Sequence, residues 1–239
     1  RGLGQAQANA NDGIALLQIA EGAANEISSI LQRMRELAIQ SSNDTLTSTE
    51  RSYTNQEFQA LMSEIGRISQ ATQYNSMTLL DGRASSFGTA NGPSVLHIGA
   101  NNNRGVQGGT IDTMRVQVDS LTLGALGLTL TAGAGSGNVS TNVTSQANAY
   151  NAISTIDIAI RSVNNMRSDM GAYVNRLDHA INNIANQAFN TQDAESRIRD
   201  VDFADETTKF TKAQILTQSA TSMLAQSNAV PGLVLQLMA

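Results

Sequence analysis

Cysteine and tryptophan are both absent from the chain, and aromatic residues make up only 4% of it. Without Cys there are no disulfides, no thiolate metal sites and no cysteine nucleophile, and the redox compartment stays open on this count. With so few aromatics the apolar seams must be built from small and aliphatic side chains, which thin helical bundles tolerate better than a wide globular core. An excess of positive charge is missing too: 15 Lys and Arg stand against 20 Asp and Glu, for a net charge of -5. Phosphate neutralisation needs a clustered basic excess, so nucleic acid is not an expected partner. No apolar run approaches the length of a membrane span, and residues 1–20 lack the charged, apolar and small-residue order of a secretory signal. Only two histidines occur, His97 and His179, and each suits a structural role. There is no zinc helix of the HExxH type, no nucleophile elbow, no phosphate loop and no EF-hand loop. No enzyme, cofactor or metal is expected.

What the chain does have is helical seams. Leu17, Ala20, Ala24, Ile27, Leu31, Met34 and Ala38 recur at alternating spacings of three and four, predicting a helix from about residue 3 to 43 that packs lengthwise on other helices. Arg33, Arg35, Glu36 and Gln40 lie between seam positions and form a polar face toward water or another protein copy. Asn11, Asp12 and Gly13 read as a soft spot in that helix. A Ser- and Asn-rich break follows, and Thr47 or Ser48 is the expected N-cap of a second helix, with Glu50 in its first turn. That helix carries Phe58, Leu61, Ile65, Ile68 and Thr72, ends near Gln73, and is expected to fold back on the first as an antiparallel hairpin.

From residue 82 to about 145 the texture changes to Gly-rich stretches with short alternating runs. Val95 to Ile98 and Met114 to Asp119 read as strands, and 131–144 as a mobile loop. A third long helix is expected over 147–188, carrying Ile153, Ile156, Ile160, Val163, Met166, Met170, Tyr173, Leu177, Ile181 and Ile184. Gly171 weakens it too little to break it. The last segment, 193–238, continues a seam through Ala213, Leu216, Ala220 and Met223, with an interruption expected at Pro231 and Gly232. Its apolar end needs a cover, expected from another chain or a missing piece of this one. The fold class expected is mainly α: an elongated bundle of long antiparallel helices with a small β-hairpin subdomain in the middle. Its parts are 1–81, a helical pair; 82–146, a small β-rich region; 147–192, a long helix; and 193–239, a terminal helical segment.

Other clusters read more plainly as structure. Asp200, Asp202, Asp205 and Glu206 could hold a hard cation, but Arg197, Arg199 and Lys209 flank them, and a solvated face is the better reading. The three Asn-x-Ser/Thr sequons at Asn43, Asn138 and Asn142 arise easily in a chain rich in those residues. Most of the eight Met fall on helical seams, where they fill gaps.

Several blocks together resemble bacterial flagellin, the subunit of the flagellar filament. Gln5-Ala6-Gln7-Ala8-Asn9-Ala10-Asn11-Asp12-Gly13 is similar to the family's Q-A-x-x-N-A-N-D-G, and Gln32 to Gln40 to its Q-R-x-R-E-L-A-x-Q. Gln73-Tyr74-Asn75 resembles Q-[FY]-N, and Leu96-His97-Ile98-Gly99-Ala100-Asn101 resembles L-x-I-G-A-N. Toward the end, Ser196 to Ala204, Ala213-Gln214-Ile215-Leu216 and Leu224-Ala225-Gln226-Ser227-Asn228 are similar to S-R-I-x-D-x-D-[FY]-A, A-Q-I-L and L-A-Q-S-N. The resemblance implies a structural subunit that packs with many copies of itself into a hollow tube outside the cell, and that is exported unfolded without a cleaved signal peptide. A flagellar secretion chaperone and cap are implied as partners.

The two chain ends are implied to pair as a coiled coil lining the tube. Arg1 matches a point inside the family's N-terminal region, so the resemblance implies that one strand of that coil is missing and that this chain does not polymerise alone. It also implies recognition of the first two helices by the innate immune receptor Toll-like receptor 5, with Arg33, Leu37 and Glu57 as contact positions, although the same residues could serve subunit packing. A hook-filament junction protein is the nearest alternative. A surface adhesin that binds carbohydrate through residues 82–145 is another, but Phe87 is the one aromatic in that stretch.

Overall fold

The computed structural model describes residues 1–82, 94–101, 112–129, 141–200 and 202–237, with side chains described as far as residue 228 in the last helix. Among the described residues the chain is mainly α, with four long helices and two small antiparallel two-stranded sheets. It divides into two compact units, Arg1–Ala188 and Phe189–Ala239.

In the first unit α1 (Gly2–Ser41) is followed by α2 (Ser48–Ala71). All seven predicted seam residues of α1 are fully buried. The expected soft spot is not found, because α1 runs unbroken through Asn11, Asp12 and Gly13. Gly13 is buried there, and a Cβ on it would lie 2.7 Å from Leu96 Cδ1 and 3.5 Å from Leu177 Cδ1. The absent side chain lets a strand approach the helix, and that packing outweighs the propensity cost of glycine.

Thr47 caps α2 in a closed box: its hydroxyl accepts from Glu50 N–H, while Glu50 Oε2 accepts from Thr47 N–H at 2.7 Å. Arg51 donates to the carbonyls of Ser41 and Asn43 at 2.9 and 2.8 Å, fixing the reversal between the helices. Strands β1 (Gln73–Tyr74) and β2 (Met77–Thr78) then form a hairpin turning on Asn75 and Ser76, both at positive φ.

Strand β3 (Ser94–His97) pairs antiparallel with β4 (Thr113–Val116), with Leu96 opposite Met114. Asn9 Nδ2 donates to the His97 carbonyl at 3.0 Å, holding β3 against α1. Beyond β4, Val118, Leu121 and Leu128 are buried in the common core, so this stretch belongs to the helical body as much as to the sheet.

Residues 131–140 of the expected mobile loop lie outside the described residues, but 141–144 contradict that expectation. Ser41 Oγ donates to the Val143 carbonyl at 2.5 Å, Val143 N–H donates to Asn55 Oδ1 at 3.0 Å, and Gln59 Nε2 donates to the Thr141 carbonyl at 3.0 Å. Side chains from both helices satisfy this backbone, so it needs no strand partner.

Helix α3 spans Gln146–Arg199. Within the first unit it lies antiparallel to α1: Gln146 Nε2 bonds the Ser42 carbonyl at 3.1 Å, Arg35 pairs with Asp157 at 2.7 Å, and Arg167 approaches Glu21 at 4.0 Å. The partner numbers rise on α3 as they fall on α1.

In the second unit α3 continues past the expected end near residue 188 to Arg199. No packed seam carries it there, but i,i+4 pairs Arg197–Asp193 and Arg199–Glu195, at 2.8 and 2.7 Å, support an exposed helix. Those arginines therefore neutralise Asp193 and Glu195 rather than the acidic cluster. Within that cluster Asp202 caps α4 (Phe203–Leu237), Asp205 pairs with Lys209, and Asp200 accepts from Ser196. Helix α4 also continues through Pro231 and Gly232. A proline removes one bond of the ladder, and the good helix formers after Gly232 resume it. Among the described residues no helix is long and apolar enough to cross a membrane, and no acidic or histidine group is arranged to hold a metal ion.

Candidate contact surface

Arg33 and Arg35 stand two positions apart on α1, so at 100° per residue they leave the helix on opposite flanks. Met34, Leu37 and Ala38 point into the core from the same turns. Each arginine reaches a different neighbour. On one flank Arg33 Nε and Nη2 both donate to Glu57 Oε1 of α2, at 3.0 and 2.8 Å, and Nη1 donates to Glu36 Oε2 at 3.0 Å. On the other flank Arg35 Nε donates to Asp157 of α3 at 2.7 Å. One short motif thus ties three helices together, and the planar guanidinium fork is what allows a single residue to bridge two carboxylates.

The Arg33 guanidinium is held more firmly protonated than usual, chiefly by its hydrogen bond to Glu57 and next by that to Glu36. The cluster is about half exposed, so this attraction is screened by water and adds little to stability. Its effect is to order side chains on an open surface. About two turns further along α2, Glu64 and Arg67 form a second ordered pair, with the Glu64 carboxyl held below its usual range by Arg67.

Of the three positions singled out from sequence, Arg33 and Glu57 come together directly. Leu37 does not join them at the surface. It is only 2% exposed and lies in the core between the helices. The reason is its angle: Leu37 shares the inward side of α1 with Met34 and Ala38, next in the three-and-four seam. The sequence pattern did not reveal Asp157 as the partner of Arg35. Nor did it single out two exposed aromatics near this surface, Tyr53 and Tyr150. Their polar surroundings gave no signal, because an isolated tyrosine off a helical seam looks like any solvated residue.

Residues 1–85 match the bacterial flagellin N-terminal helical region, and residues 153–238 match the bacterial flagellin C-terminal helical region. The chain belongs to the bacterial flagellin family. It is 44% identical over 238 residues to a flagellin of Halalkalibacterium halodurans, covering 100% of this chain and 79% of that one. It is 41% identical over 241 residues to flagellin FlaB2 of Treponema pallidum, covering 100% of this chain and 80% of that one.

The crystal structure of Bacillus cereus flagellin superposes with a TM-score of 0.58 at 30% identity, covering 79% of this chain and 94% of that one. A putative flagellar hook-associated protein from Vibrio parahaemolyticus reaches a TM-score of 0.60 at 17% identity, covering 82% of this chain and 91% of that one, which shows a shared fold alone. As a flagellin this chain is a structural subunit, not an enzyme. Flagellin polymerises with copies of itself into the flagellar filament outside the cell, and this chain is a flagellin.

Proposed function

We propose that, in addition to building the filament, this flagellin is read by the innate immune receptor Toll-like receptor 5 on the α1–α2 side that Arg33 and Glu57 form. The observation that carries the proposal is the three-donor fork of Arg33 into Glu57 and Glu36, which leaves an ordered, half-exposed polar surface across two helices. An ordered surface lowers the entropy that a partner must remove on binding. Leu37 contributes from beneath, by fixing the spacing of the helices that carry the other two.

Filament packing on the same side is compatible with this reading, since a receptor that exploits an assembly surface meets residues the filament cannot readily change. Arg33→Ala and Glu57→Ala should each weaken receptor signalling while leaving helix content unchanged. Unchanged signalling in both variants would remove the proposed site.

The second unit supports a different set of partners. Phe203, Phe210, Leu216, Met223 and Leu224 are all exposed along α4. Such a surface suits residues 193–239 to the coiled coil that lines the inner tube, and before assembly to a flagellar secretion chaperone and the filament cap. Export without a cleaved signal peptide belongs to the same reading.

A further inference from the structure

The methionines of the first unit divide by exposure. Met34, Met62, Met114, Met166 and Met170 are at most 5% exposed and belong to the common core, where a flexible thioether fills gaps. Met77 is 38% exposed and lies outside that core. It sits on β2, paired with Tyr74 of β1 across the turn of Asn75 and Ser76. Tyr74 is partly buried and packs against the core but Met77 does not, so gap filling does not account for it. Just after it Leu79 and Leu80 are fully buried, and Leu79 N–H donates to the Thr72 carbonyl at 3.1 Å. The base of the hairpin is thus fixed by Leu79 and Leu80, not by the methionine side chain.

With no cysteine in the chain, its sulfur chemistry is confined to thioethers. We propose that Met77 is an oxidation site at which the folded subunit takes oxygen from a hydroperoxide while the core methionines are spared. The step is a two-electron oxygen transfer. A lone pair of the Met77 sulfur attacks one oxygen of hydrogen peroxide, and the O–O bond breaks as the S–O bond forms. The transferred oxygen gives up its proton to the departing hydroxide, leaving methionine sulfoxide and water. Sulfur is oxidised and peroxide is reduced, with no further reactant needed. The thioether is chemically the same at every methionine, so access from solvent sets which one reacts.

Placement decides the consequence. A sulfoxide is polar, and at Met34, Met62 or Met170 it would disrupt the packing of the helices. At Met77 the side chain already meets water, and the pairing of β1 with β2 is made by backbone groups. Oxidant is therefore consumed where the fold does not depend on the side chain. Flagellin filaments lie outside the cell, where oxidants reach them directly. The assignment is independent of the receptor reading and of any contact between copies.

Subunits dissociated from filaments are treated with dilute hydrogen peroxide, and sulfoxide at each methionine is followed by peptide mass spectrometry. Met223 of the second unit, 73% exposed, is the internal reference for an open thioether. Met77 should convert at a rate near that of Met223, and roughly tenfold or more faster than the five core methionines. In urea all should convert alike. Conversion of Met77 as slow as that of the core residues would overturn the proposal. A second measurement compares the parent with Met77→Leu before and after peroxide. Other sites react alike in both chains, so the difference between their urea midpoints should not change on treatment. A treated parent that falls below treated Met77→Leu would refute the claim that the fold is spared.

Discussion

Gly13 offers the sharpest test of the claim that a bare helix position lets β3 dock against α1. Replacing a helical glycine by alanine stabilises an exposed site by about 1 kcal/mol, because the unfolded chain loses freedom. At Gly22, an exposed position of the same helix where an added Cβ would meet no neighbouring side chain within 4 Å, that gain should appear undiminished. At Gly13 the new methyl group would meet Leu96 Cδ1 at 2.7 Å and Cδ2 at 3.6 Å, with Leu177 Cδ1 at 3.5 Å on another side. Leu96 is partly buried and packed against the core, so moving its end aside disturbs that packing, and overpacking of this kind costs about 1–3 kcal/mol. The net expectation for Gly13→Ala is therefore neutral to about 2 kcal/mol destabilising. Urea unfolding followed by far-UV circular dichroism, on both variants and the parent, reads the difference. Gly22→Ala should raise the midpoint, and Gly13→Ala should leave it unchanged or lower it. If Gly13→Ala stabilises as much as Gly22→Ala, the docking argument is wrong.

The remaining predictions concern the cap and the hairpin. Thr47→Ala should destabilise α2 by about 1 kcal/mol in the same assay, since it removes the hydroxyl that accepts from Glu50 N–H. The Glu50 carboxyl is held below the usual carboxylate range, first by Thr47 N–H and next by the Thr47 hydroxyl. Its folded pKa is depressed, so the stability it contributes is present above the unfolded value and is lost as pH falls through the folded one. The gap in urea midpoint between the parent and Glu50→Gln, measured from about pH 6 down to about pH 3, should shrink in acid. Ser76→Gly should stabilise the fold by about 1 kcal/mol and so raise the urea midpoint, because Ser76 sits at a φ of 64° that a side chain disfavours. A lower midpoint would show that Ser76 makes a contact worth more than its strain.

The helices were legible because their seams are long: from Leu17 to Ala38 every predicted inward residue is buried, and Thr47 with Glu50 announces the start of α2. What the pattern could not reveal depends on contacts distant in sequence. Gly13 looks like a weakness until Leu96 is known to rest on it, and Val143 looks like loop until Ser41 and Asn55 are found holding its backbone. The polar end of α3 ran past its last core residue because short-range ion pairs can extend a helix that no seam supports. The resemblance grouped Arg33, Leu37 and Glu57 as contact positions without pairing Arg33 to Glu57, and the inward direction of Leu37 follows from its spacing from Met34.

The two kinds of surface differ in what each can contribute to assembly. The ion pairs around Arg33 and Arg35 are half exposed and already made within one subunit, so a neighbour gains little by covering them and must keep them satisfied. Their part is to hold three helices in one register and present the same surface on every copy. Attraction has to come from apolar area, at about 1.5–3 kcal/mol for each large side chain taken fully out of water. Phe203 and Phe210 on α4 are 81% and 69% exposed, so most of that gain is still available to a covering partner. Tyr53 and Tyr150 offer less in amount but are carried on helices already locked by their core. Apolar exposure and order are thus carried by different residues: α4 holds large exposed apolar side chains, and the Arg33–Arg35 motif holds α1, α2 and α3 together.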